Sequence, residues 1–373
     1  MPLGQGSRRG FRVHSATSHA PGRVELLGNH TDYNEGFVLS AAINHGVTAT
    51  GSAREDGVIR LASEGDLPPV EVPPGPLEPL AGRGAWANYP LGVVRVLRDS
   101  GLPIGGFEAR FASDLPIGAG LSSSAALEVS TAMLLAKLFP FERSRIDLAK
   151  LCRQAENTFV GVNCGLLDQV SSLFGKAGHA VFLDCRTEAV ESVPFPDGLA
   201  FLITHSGVKH ALVGGEYNER RAQCFEAARI LGVPMLRDAS ADALESAKDR
   251  MPDATFRRAL HIVGENLRVL EGVELLRHGD AEGFGLLMSA SHESSRINFE
   301  NSTPALDALV HIACALPGVL GSRLTGGGFG GATVSLVRRA DAPAIAEALL
   351  TAYREQTGNE GRCWICEPAD GAR

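Results

Sequence analysis

Two carboxylates near the middle of the chain have the residue types and spacing that phosphoryl transfer would use. Glu156 lies late in a helix predicted for residues 145–160, and Asp168 begins the next apolar segment after glycines at 161 and 165. Phosphoryl transfer requires a bridging metal ion, a group that accepts or orients the proton of the nucleophile, and a cation. The same spacing is explained if Glu156 lies on a solvated helix face and Asp168 is a first-turn carboxylate favoured by the helix dipole. On spacing alone, this simpler interpretation is the preferred one.

A glycine- and serine-rich segment is the candidate for binding phosphate. Residues 114–125 read DLPIGAGLSSSA and come directly before an apolar helix predicted for residues 122–139. Glycine permits close approach of the backbone, and the free amides at a helix start attract anions. The sequence contains no GxxxxGK[ST] motif, so the segment is not a P-loop. A glycine turn followed by a serine cap explains the same residues equally well.

A polar run between two strand-like stretches is suited to a sugar. Arg23 and residues 29–34, NHTDYN, are dense in hydrogen-bonding groups. The alternative is a hydrophilic hairpin turn, in which His30 is a surface histidine.

A second glycine cluster, GSRLTGGGFGGATVSL at residues 321–336, contains the spacing GxGxxG. A dinucleotide-binding fold needs this loop to open a helix, whereas residues 332–337 predict a strand. The cluster also lies too near the end of the chain for a nicotinamide domain. We therefore reject an oxidoreductase and expect a glycine loop that borders a cleft.

The surrounding elements predict an α+β protein of two domains. The 373 residues exceed the size of one ordinary domain. Helices and strands alternate without a regular βαβ rhythm, and a turn-rich break at residues 193–198 lies near mid-chain. We predict domains at residues 1–195 and 196–373. The proline-rich segment 67–80 is expected on the surface, since it cannot sustain a helix or a central strand.

Composition excludes several classes of function. The formal net charge of -8 argues against general binding of nucleic acid. No apolar run approaches the ~20 residues of a membrane-spanning helix, and no signal peptide is evident, so we expect a cytoplasmic protein. The seven cysteines are odd in number and scattered, which predicts reduced thiols. Cys363 and Cys366 form a CxxC motif, but with no second pair we assign it no function.

Taken together, these segments resemble the GHMP small-molecule kinases and, among them, the galactokinases. Residues 20–36, APGRVELLGNHTDYNEG, look like the galactokinase signature APGRVNLIGEHTDYN. The serine-rich segment is similar to the phosphate loop of the family, and the late glycine cluster is similar to its third motif. Further similar segments follow in the same order, from about Val13 to the end of the chain. The resemblance implies an N-terminal domain like that of ribosomal protein S5 and a ferredoxin-like C-terminal domain, with the active site between them.

The resemblance also implies roles for residues at the matching positions. Asp168 would take the proton from the C1 hydroxyl of the sugar, and Arg23 would stabilise the developing charge. Mg²⁺ would be bound by Ser124 and Glu156. The implied sugar-binding residues are Asn29, His30, Asp32, Gly165 and Tyr217. The implied ATP-binding residues are Trp86, near the adenine, and the loop residues Gly118, Ala119, Gly120, Leu121, Ser122, Ser123 and Ser124. The expected protein is thus a monomeric, ATP- and Mg²⁺-dependent sugar 1-kinase.

Two departures from the family pattern bear on the choice of sugar. Asn29 stands where the signature has a glutamate, and the resemblance implies that this glutamate contacts the C6 hydroxyl of the sugar. With an amide in place of that carboxylate, the site would tolerate a sugar that carries a carboxylate at C6. Residues 294–302, SSRINFENS, replace an acidic run like RDDFEVS. Galactose is the first expectation, and a modified galactose such as galacturonate or N-acetylgalactosamine is the alternative. A catalytically inactive sugar and ATP sensor is the alternative of another class, although Asp168, Arg23 and the serines are all present.

Overall fold

The computed structural model describes residues 15–116, 120–162, 164–208 and 214–373. Its helices are Asn88–Asp99 (α1), Ser123–Leu138 (α2), Arg145–Ala155 (α3), Leu167–Phe174 (α4), Gly214–Leu231 (α5), Ala241–Ser246 (α6), Asp253–Arg277 (α7), Ala281–Ser294 (α8), Pro304–Ala315 (α9) and Ala342–Thr357 (α10). Its strands are Ala16–Leu27 (β1), Phe37–Arg54 (β2), Ile59–Ser63 (β3), Val70–Val72 (β4), Gly106–Ser113 (β5), His179–Asp184 (β6), Val190–Pro194 (β7), Leu199–His205 (β8), Val319–Thr325 (β9), Ala332–Arg338 (β10) and Arg362–Cys366 (β11).

Short helices of other types join these elements. The 3₁₀ turns are Asp32–Asn34, Gly82–Ala87, Leu236–Asp238, Lys248–Arg250 and Arg339–Asp341. Two π-helical turns, Glu156–Val160 and Ser295–Phe299, extend α3 and α8. π-Turns within helices often occur at functional sites, and the first of these carries a predicted site residue, Glu156.

The first sheet is built around the long strand β2. Strand β1 is antiparallel to β2 along most of its length, and the other edge of β2 pairs with β6 near its start and with β5 near its end. The strand order is β4-β3-β5-β2-β6-β7, with β1 beside β2, and β3 is parallel to β5. The proline-rich segment contributes only the short edge strand β4, which is where proline is tolerated.

Helix α2 fixes the start of the serine-rich segment against this sheet. The helix packs on β1 and β2 and is apolar on all sides, as is typical of a buried helix. Its alanine, valine and leucine side chains belong to the main hydrophobic core, for example Ala126, Val129 and Leu135. The serines at its start are therefore held by a rigid element.

The second sheet is antiparallel and has the strand order β11-β8-β10-β9. Helix α9 packs on β9 and β10, whereas α10 packs on β8 and β11. The predicted boundary between residues 195 and 196 falls between β7, in the first sheet, and β8, in the second. The assignment of residues 1–195 and 196–373 to separate domains stays a prediction.

The end of the chain returns to the first sheet. The backbone N–H of Ala369 donates to the carbonyl of Ala42 at 2.9 Å, and the N–H of Arg373 donates to that of His19 at 2.9 Å. Nothing in the sequence indicated this return, because it depends on pairing between residues far apart in the chain.

The sequence-based expectations for α2, β10 and the late glycine cluster are confirmed. The predicted helix 122–139 is α2, and the predicted strand 332–337 lies within β10. The late glycine cluster joins β9 to β10, so a strand follows it, as expected. No helix in the described part of the chain has the length and apolar character needed to cross a bilayer. Cys363 and Cys366 are free thiols three residues apart in β11, and burial raises the pKa of both.

Candidate active site

A cavity of about 470 Å³ opens where elements of both sheets meet. Its walls come from strand β1 and the turn after it, the segment before α4, the start of α5 and the β9–β10 loop. The residues that line it are Arg23, Glu25, Gly28, Asn29, His30, Asp32, Gly161, Val162, Cys164, Gly165, Leu167, Asp168, Tyr217, Asn218, Gly326 and Gly327. Both predicted catalytic residues and all five predicted sugar-binding residues are among them.

Asp168, Arg23 and Ser122 form a connected group at one end of the cavity. The Nε of Arg23 donates to Oδ1 of Asp168 at 2.8 Å, and Nη2 of Arg23 lies 2.7 Å from the same oxygen. The hydroxyl of Ser122 donates to Oδ2 of Asp168 at 2.6 Å. Asp168 therefore accepts hydrogen bonds from a cation and from a hydroxyl while it lines the cavity, an arrangement suited to a proton acceptor.

Local structure explains how this group is held. Asp168 lies in the first turn of α4, where the helix dipole favours a carboxylate. Arg23 is buried in β1, and its Nη1 donates to the carbonyl of Gly120 at 2.6 Å. Ser122 precedes α2 with a φ of 55°, and its hydroxyl bonds Asp168 rather than capping its own helix. The start of α2 is thereby tied to the start of α4 through Arg23 and Asp168.

The turn after β1 carries His30, whose ring is neutral. Burial lowers the pKa of His30 to about 4. Nε2 lies 2.9 Å from the carbonyl of Gly327, which only accepts, so Nε2 carries the proton. Nδ1 then accepts from the hydroxyl of Tyr33 at 2.9 Å. Both ring nitrogens of His30 are thus occupied by the protein, and its ring forms a wall of the cavity beside Tyr217, 5.1 Å away between centroids.

Asp32 and Gly165 approach each other closely across the cavity. A Cβ added to Gly165 would lie 1.8 Å from Oδ2 of Asp32, which explains why glycine occupies this position. Burial raises the pKa of Asp32, although the backbone N–H of Tyr33 donates to Oδ1 at 2.9 Å and opposes the shift. Asp32 thus presents a hydrogen-bonding carboxyl group to a ligand in the cavity.

Glu25 and Asn29 form a second hydrogen-bonded group in the cavity wall. Nδ2 of Asn29 donates to Oε1 of Glu25 at 2.9 Å and to the carbonyl of Gly326 at 2.8 Å. Oδ1 of Asn29 accepts from Nδ2 of Asn301 at 2.8 Å. Arg323, fully buried, donates through Nη2 to Oε1 of Glu25 at 3.1 Å. Asn29 is therefore fixed in one orientation by three partners.

Glu265 binds the backbone of the turn that follows β1. This buried residue of α7 accepts through Oε2 from the backbone N–H groups of Gly28, at 3.0 Å, and Asn29, at 3.1 Å. Burial raises its pKa, but Arg268 and other positive neighbours outweigh that effect and hold the pKa of Glu265 below its usual value. An ionised carboxylate therefore sets the position of the backbone that lines the cavity.

Glu156 lies behind the cavity wall, in a buried group with Gln169 and Glu128. Nε2 of Gln169 donates to Oε2 of Glu156 at 2.9 Å and to Oε2 of Glu128 at 3.1 Å. Burial raises the pKa of Glu156, while hydrogen bonds from Cys164, Ser124 and Gln169 oppose the shift. Burial and the neighbouring Glu156 raise the pKa of Glu128 to about 10, so Glu128 is neutral at pH 7.

This group suits a cation held mainly by phosphate. Within the described ranges, no cluster of three or more histidine, cysteine, aspartate or glutamate side chains is placed to hold a metal ion. Mg²⁺ usually takes one or two protein carboxylates together with nucleotide phosphates, so one glutamate and one serine hydroxyl fit that mode. Ser124 and Glu156 are in contact, as this requires.

Some predicted site residues lie elsewhere. Trp86 does not line the cavity; its Nε1 donates to the carbonyl of Pro68 at 3.0 Å, and its ring packs on the first sheet beside Phe111. Ser123 is exposed at the start of α2, and Leu121 is buried beside it. Gly118 and Ala119 lie outside the described residues. The two positions of residues 294–302 that replace acidic residues, Ile297 and Asn298, do not line the cavity either.

Sequence reasoning missed Glu25, Glu128 and Glu265. A signal existed for Glu25, because the signature has asparagine at that position and glutamate at position 29, the reverse of this chain. Glu128 is the one acidic residue in the sequence of the apolar helix α2, which is an unusual place for a carboxyl group. Glu265 belongs to a helix rich in charged residues, and nothing in its spacing distinguishes it.

Three segments of the chain match known protein families. Residues 8–53 match the galactokinase galactose-binding signature, residues 88–176 the GHMP kinases N terminal domain, and residues 273–355 the GHMP kinases C terminal family. Galactokinase of Homo sapiens is 44% identical over 381 residues, covering 98% of this chain and 95% of the relative. Galactokinase of Roseiflexus sp. (strain RS-1) is 42% identical over 361 residues, covering 94% and 91%.

Solved structures agree with these matches. Lactococcus lactis galactokinase complexed with galactose superposes with a TM-score of 0.92 at 33% identity, covering 97% of this chain and 95% of that one. Methanococcus jannaschii mevalonate kinase has a TM-score of 0.68 at 19% identity, covering 96% of this chain and 100% of that one, which shows a shared fold alone. The predicted α+β fold, with the two parts typical of GHMP kinases, is confirmed.

Proposed function

The chain belongs to the galactokinase family of GHMP kinases, and on that premise we propose that it transfers the γ-phosphoryl group of ATP to the C1 hydroxyl of galactose. The observation that carries this proposal is the contact of Asp168 with Arg23 and Ser122 at one end of a sugar-sized cavity. Asp168 accepts the proton of the C1 hydroxyl as that oxygen attacks the γ-phosphorus. Arg23 stabilises the negative charge that develops there.

The sugar occupies the part of the cavity between the turn after β1 and the segment before α4. Asp32 offers its carboxyl group to the hydroxyls of the sugar, and Gly165 leaves the space into which Asp32 points. Asn29 lines the same wall, with its amide held by three protein partners. His30 and Tyr217 provide ring surfaces, because both ring nitrogens of His30 are already bonded. Such a site combines polar contacts with flat apolar walls, as is usual for pockets that bind small polar molecules.

ATP binds through the backbone amides of the segment from Gly118 to Ser123, at the start of α2. The N-terminus of this buried helix attracts the phosphates. Ser124 and Glu156 would hold Mg²⁺, which when bound would neutralise the negative charge of the phosphates. Trp86 is proposed to pack near the adenine of ATP. Its ring lies on the first sheet, outside the cavity that holds the sugar. The proposal further includes a monomeric enzyme in the cytoplasm, where its free cysteines would stay reduced.

Glu156→Gln is expected to raise the Mg²⁺ concentration for half-maximal activity by about tenfold or more, because an amide is a much poorer ligand than a carboxylate. The measurement is ADP release against free Mg²⁺ at saturating ATP and galactose. Glu128→Gln is the matched control: Glu128 shares the Gln169 contact but is already neutral at pH 7. An equal shift in both variants would contradict the assignment of Glu156.

The function itself is tested by a coupled ADP-release assay with ATP, Mg²⁺ and a series of sugars. We expect kcat/KM for galactose to exceed that for galacturonate, N-acetylgalactosamine, glucose and arabinose by about tenfold or more. Absence of turnover with every sugar would contradict the proposed activity and favour a sugar and ATP sensor. An ATP-induced rise in Tm without turnover would support that alternative directly.

A further inference from the structure

Two positions of the sugar-binding segment have exchanged residue types relative to the signature. The signature APGRVNLIGEH has asparagine where this chain has Glu25 and glutamate where it has Asn29. In the structure the two side chains are in direct contact, with Nδ2 of Asn29 donating to Oε1 of Glu25 at 2.9 Å. The exchange therefore keeps one carboxylate and one amide in the same wall, with their order along the chain reversed.

A third residue takes part in the altered arrangement. Asn301 occupies the position of the valine in an RDDFEVS-like run, and its Nδ2 donates to Oδ1 of Asn29 at 2.8 Å. Valine could not make this bond. Asn301 therefore supplies a donor that Asn29 needs at this position. Without it, Oδ1 of Asn29 would be a buried acceptor with no donor.

Glu25 has one carboxylate oxygen to offer a ligand. Oε1 is taken by Asn29 and by Nη2 of Arg323 at 3.1 Å, whereas Oε2 accepts no hydrogen bond from any residue in the described ranges. Oε2 is not one of the fully buried polar atoms that lack a partner, so it stays accessible, and Glu25 lines the cavity. Its position therefore permits a hydrogen bond from a sugar hydroxyl.

The position of Glu25 along β1 indicates which part of the sugar it meets. Arg23 and Glu25 are two residues apart in a regular stretch of β1 and share a face, about 7 Å from each other along the strand. Arg23 is bonded to Asp168, where the reacting hydroxyl binds. A hexose in that position presents a different hydroxyl to Glu25, and the resemblance associates this wall with the C6 hydroxyl.

We propose that Glu25 determines specificity in this chain: its free oxygen accepts a hydrogen bond from the C6 hydroxyl of galactose, and Asn29 and Arg323 hold it in place. This inference rests on the proposed galactokinase activity. It reverses the expectation drawn from Asn29 alone, because the carboxylate missing at position 29 is present at position 25. A neutral hydroxymethyl group can donate to the free oxygen of Glu25, whereas the carboxylate of galacturonate has no proton to donate to it.

The test compares galactose, 6-deoxygalactose and galacturonate in the wild type, in Glu25→Gln and in the double exchange Glu25→Asn/Asn29→Glu. The wild type is expected to lose about ten- to a hundredfold in kcat/KM with either altered sugar. In Glu25→Gln the acceptor oxygen becomes an N–H donor, so galactose should lose about tenfold, mainly through KM, and discrimination against galacturonate should shrink by a similar factor. The double exchange restores the order of the signature and should regain selectivity for galactose.

Several outcomes separate this inference from its alternatives. Glu355→Gln, an exposed carboxylate on α10, is the matched control and should leave all three ratios unchanged. Turnover of galactose with the same sugar ratios in Glu25→Gln as in the wild type would overturn the inference but not the proposed function. No turnover of galactose by the wild type would instead contradict the function. If Glu25→Gln fails to fold because Arg323 loses its partner, equal use of galactose and galacturonate by the wild type still overturns the inference.

Discussion

Asp168→Asn is expected to lower kcat for galactose by about a thousandfold or more while the affinity for galactose changes little. The variant can keep every contact of Asp168, because Arg23 donates to Oδ1 and Ser122 donates to Oδ2. An asparagine retains Oδ1 as the acceptor for Arg23, and its Nδ2 can donate to the hydroxyl of Ser122. Only the negative charge and the capacity to accept a proton are lost. ADP release measures kcat, and calorimetric titration with galactose measures binding.

This substitution separates proton acceptance from the positioning of the sugar. Asp99→Asn is a suitable control, since Asp99 pairs with Arg95 on an exposed face of α1. The Tm of both variants shows whether the fold is retained. A kcat for Asp168→Asn within about tenfold of the wild type would mean that proton transfer to Asp168 contributes little, and that phosphoryl transfer here relies on charge stabilisation and positioning alone.

Local features of the site were predictable from the sequence. The apolar run after the serines predicted α2, and the glycines at 161 and 165 followed by an apolar segment placed Asp168 at a helix start. The strand after the late glycine cluster was equally clear, and it excluded a dinucleotide fold. These features follow from periodicity, helix capping and glycine placement, which depend on neighbours within a few residues.

The contacts between these segments were not predictable from spacing. Arg23 and Asp168 are separated by 145 positions, and only the packing of β1 beside α2 and α4 brings them together. The sequence pattern is compatible with many such arrangements, so the resemblance to a family had to supply the pairing. The same reasoning explains why the carbonyls of Gly326 and Gly327, which bond Asn29 and His30, could not be foreseen.

Glu25 illustrates a different limit. Comparison with the signature at position 29 alone indicated a lost carboxylate, and it pointed to a tolerance for galacturonate. The compensating change is the glutamate at position 25. In the sequence, however, Glu25 is a strand residue between two apolar neighbours, and nothing there indicates that it contacts Asn29. Only the geometry of the turn, with Nδ2 of Asn29 2.9 Å from Glu25, connects the two substitutions.

Arg23→Lys is expected to lower kcat by about a hundredfold, although it preserves the positive charge. The guanidinium of Arg23 makes contacts in two directions: Nε and Nη2 meet Oδ1 of Asp168, and Nη1 meets the carbonyl of Gly120 at 2.6 Å. A lysine ammonium is a single point that cannot reach both partners with this geometry. The loss should therefore affect both the orientation of Asp168 and the link to the segment before α2.

Arg23→Met completes the comparison, because it removes the charge as well as the forked contacts. Arg60→Lys, in an exposed ion pair with Glu71 on the same sheet, controls for the exchange of arginine for lysine and should leave kcat unchanged. If charge alone matters, Arg23→Lys will retain near wild-type kcat and only Arg23→Met will fail. If the forked geometry matters, both variants will lose activity, and the lysine variant will bind galactose normally while transferring phosphate slowly. The second result is expected, since a charge stabilises a transition state only from a fixed position, and in this cavity the contacts to Asp168 and Gly120 fix it.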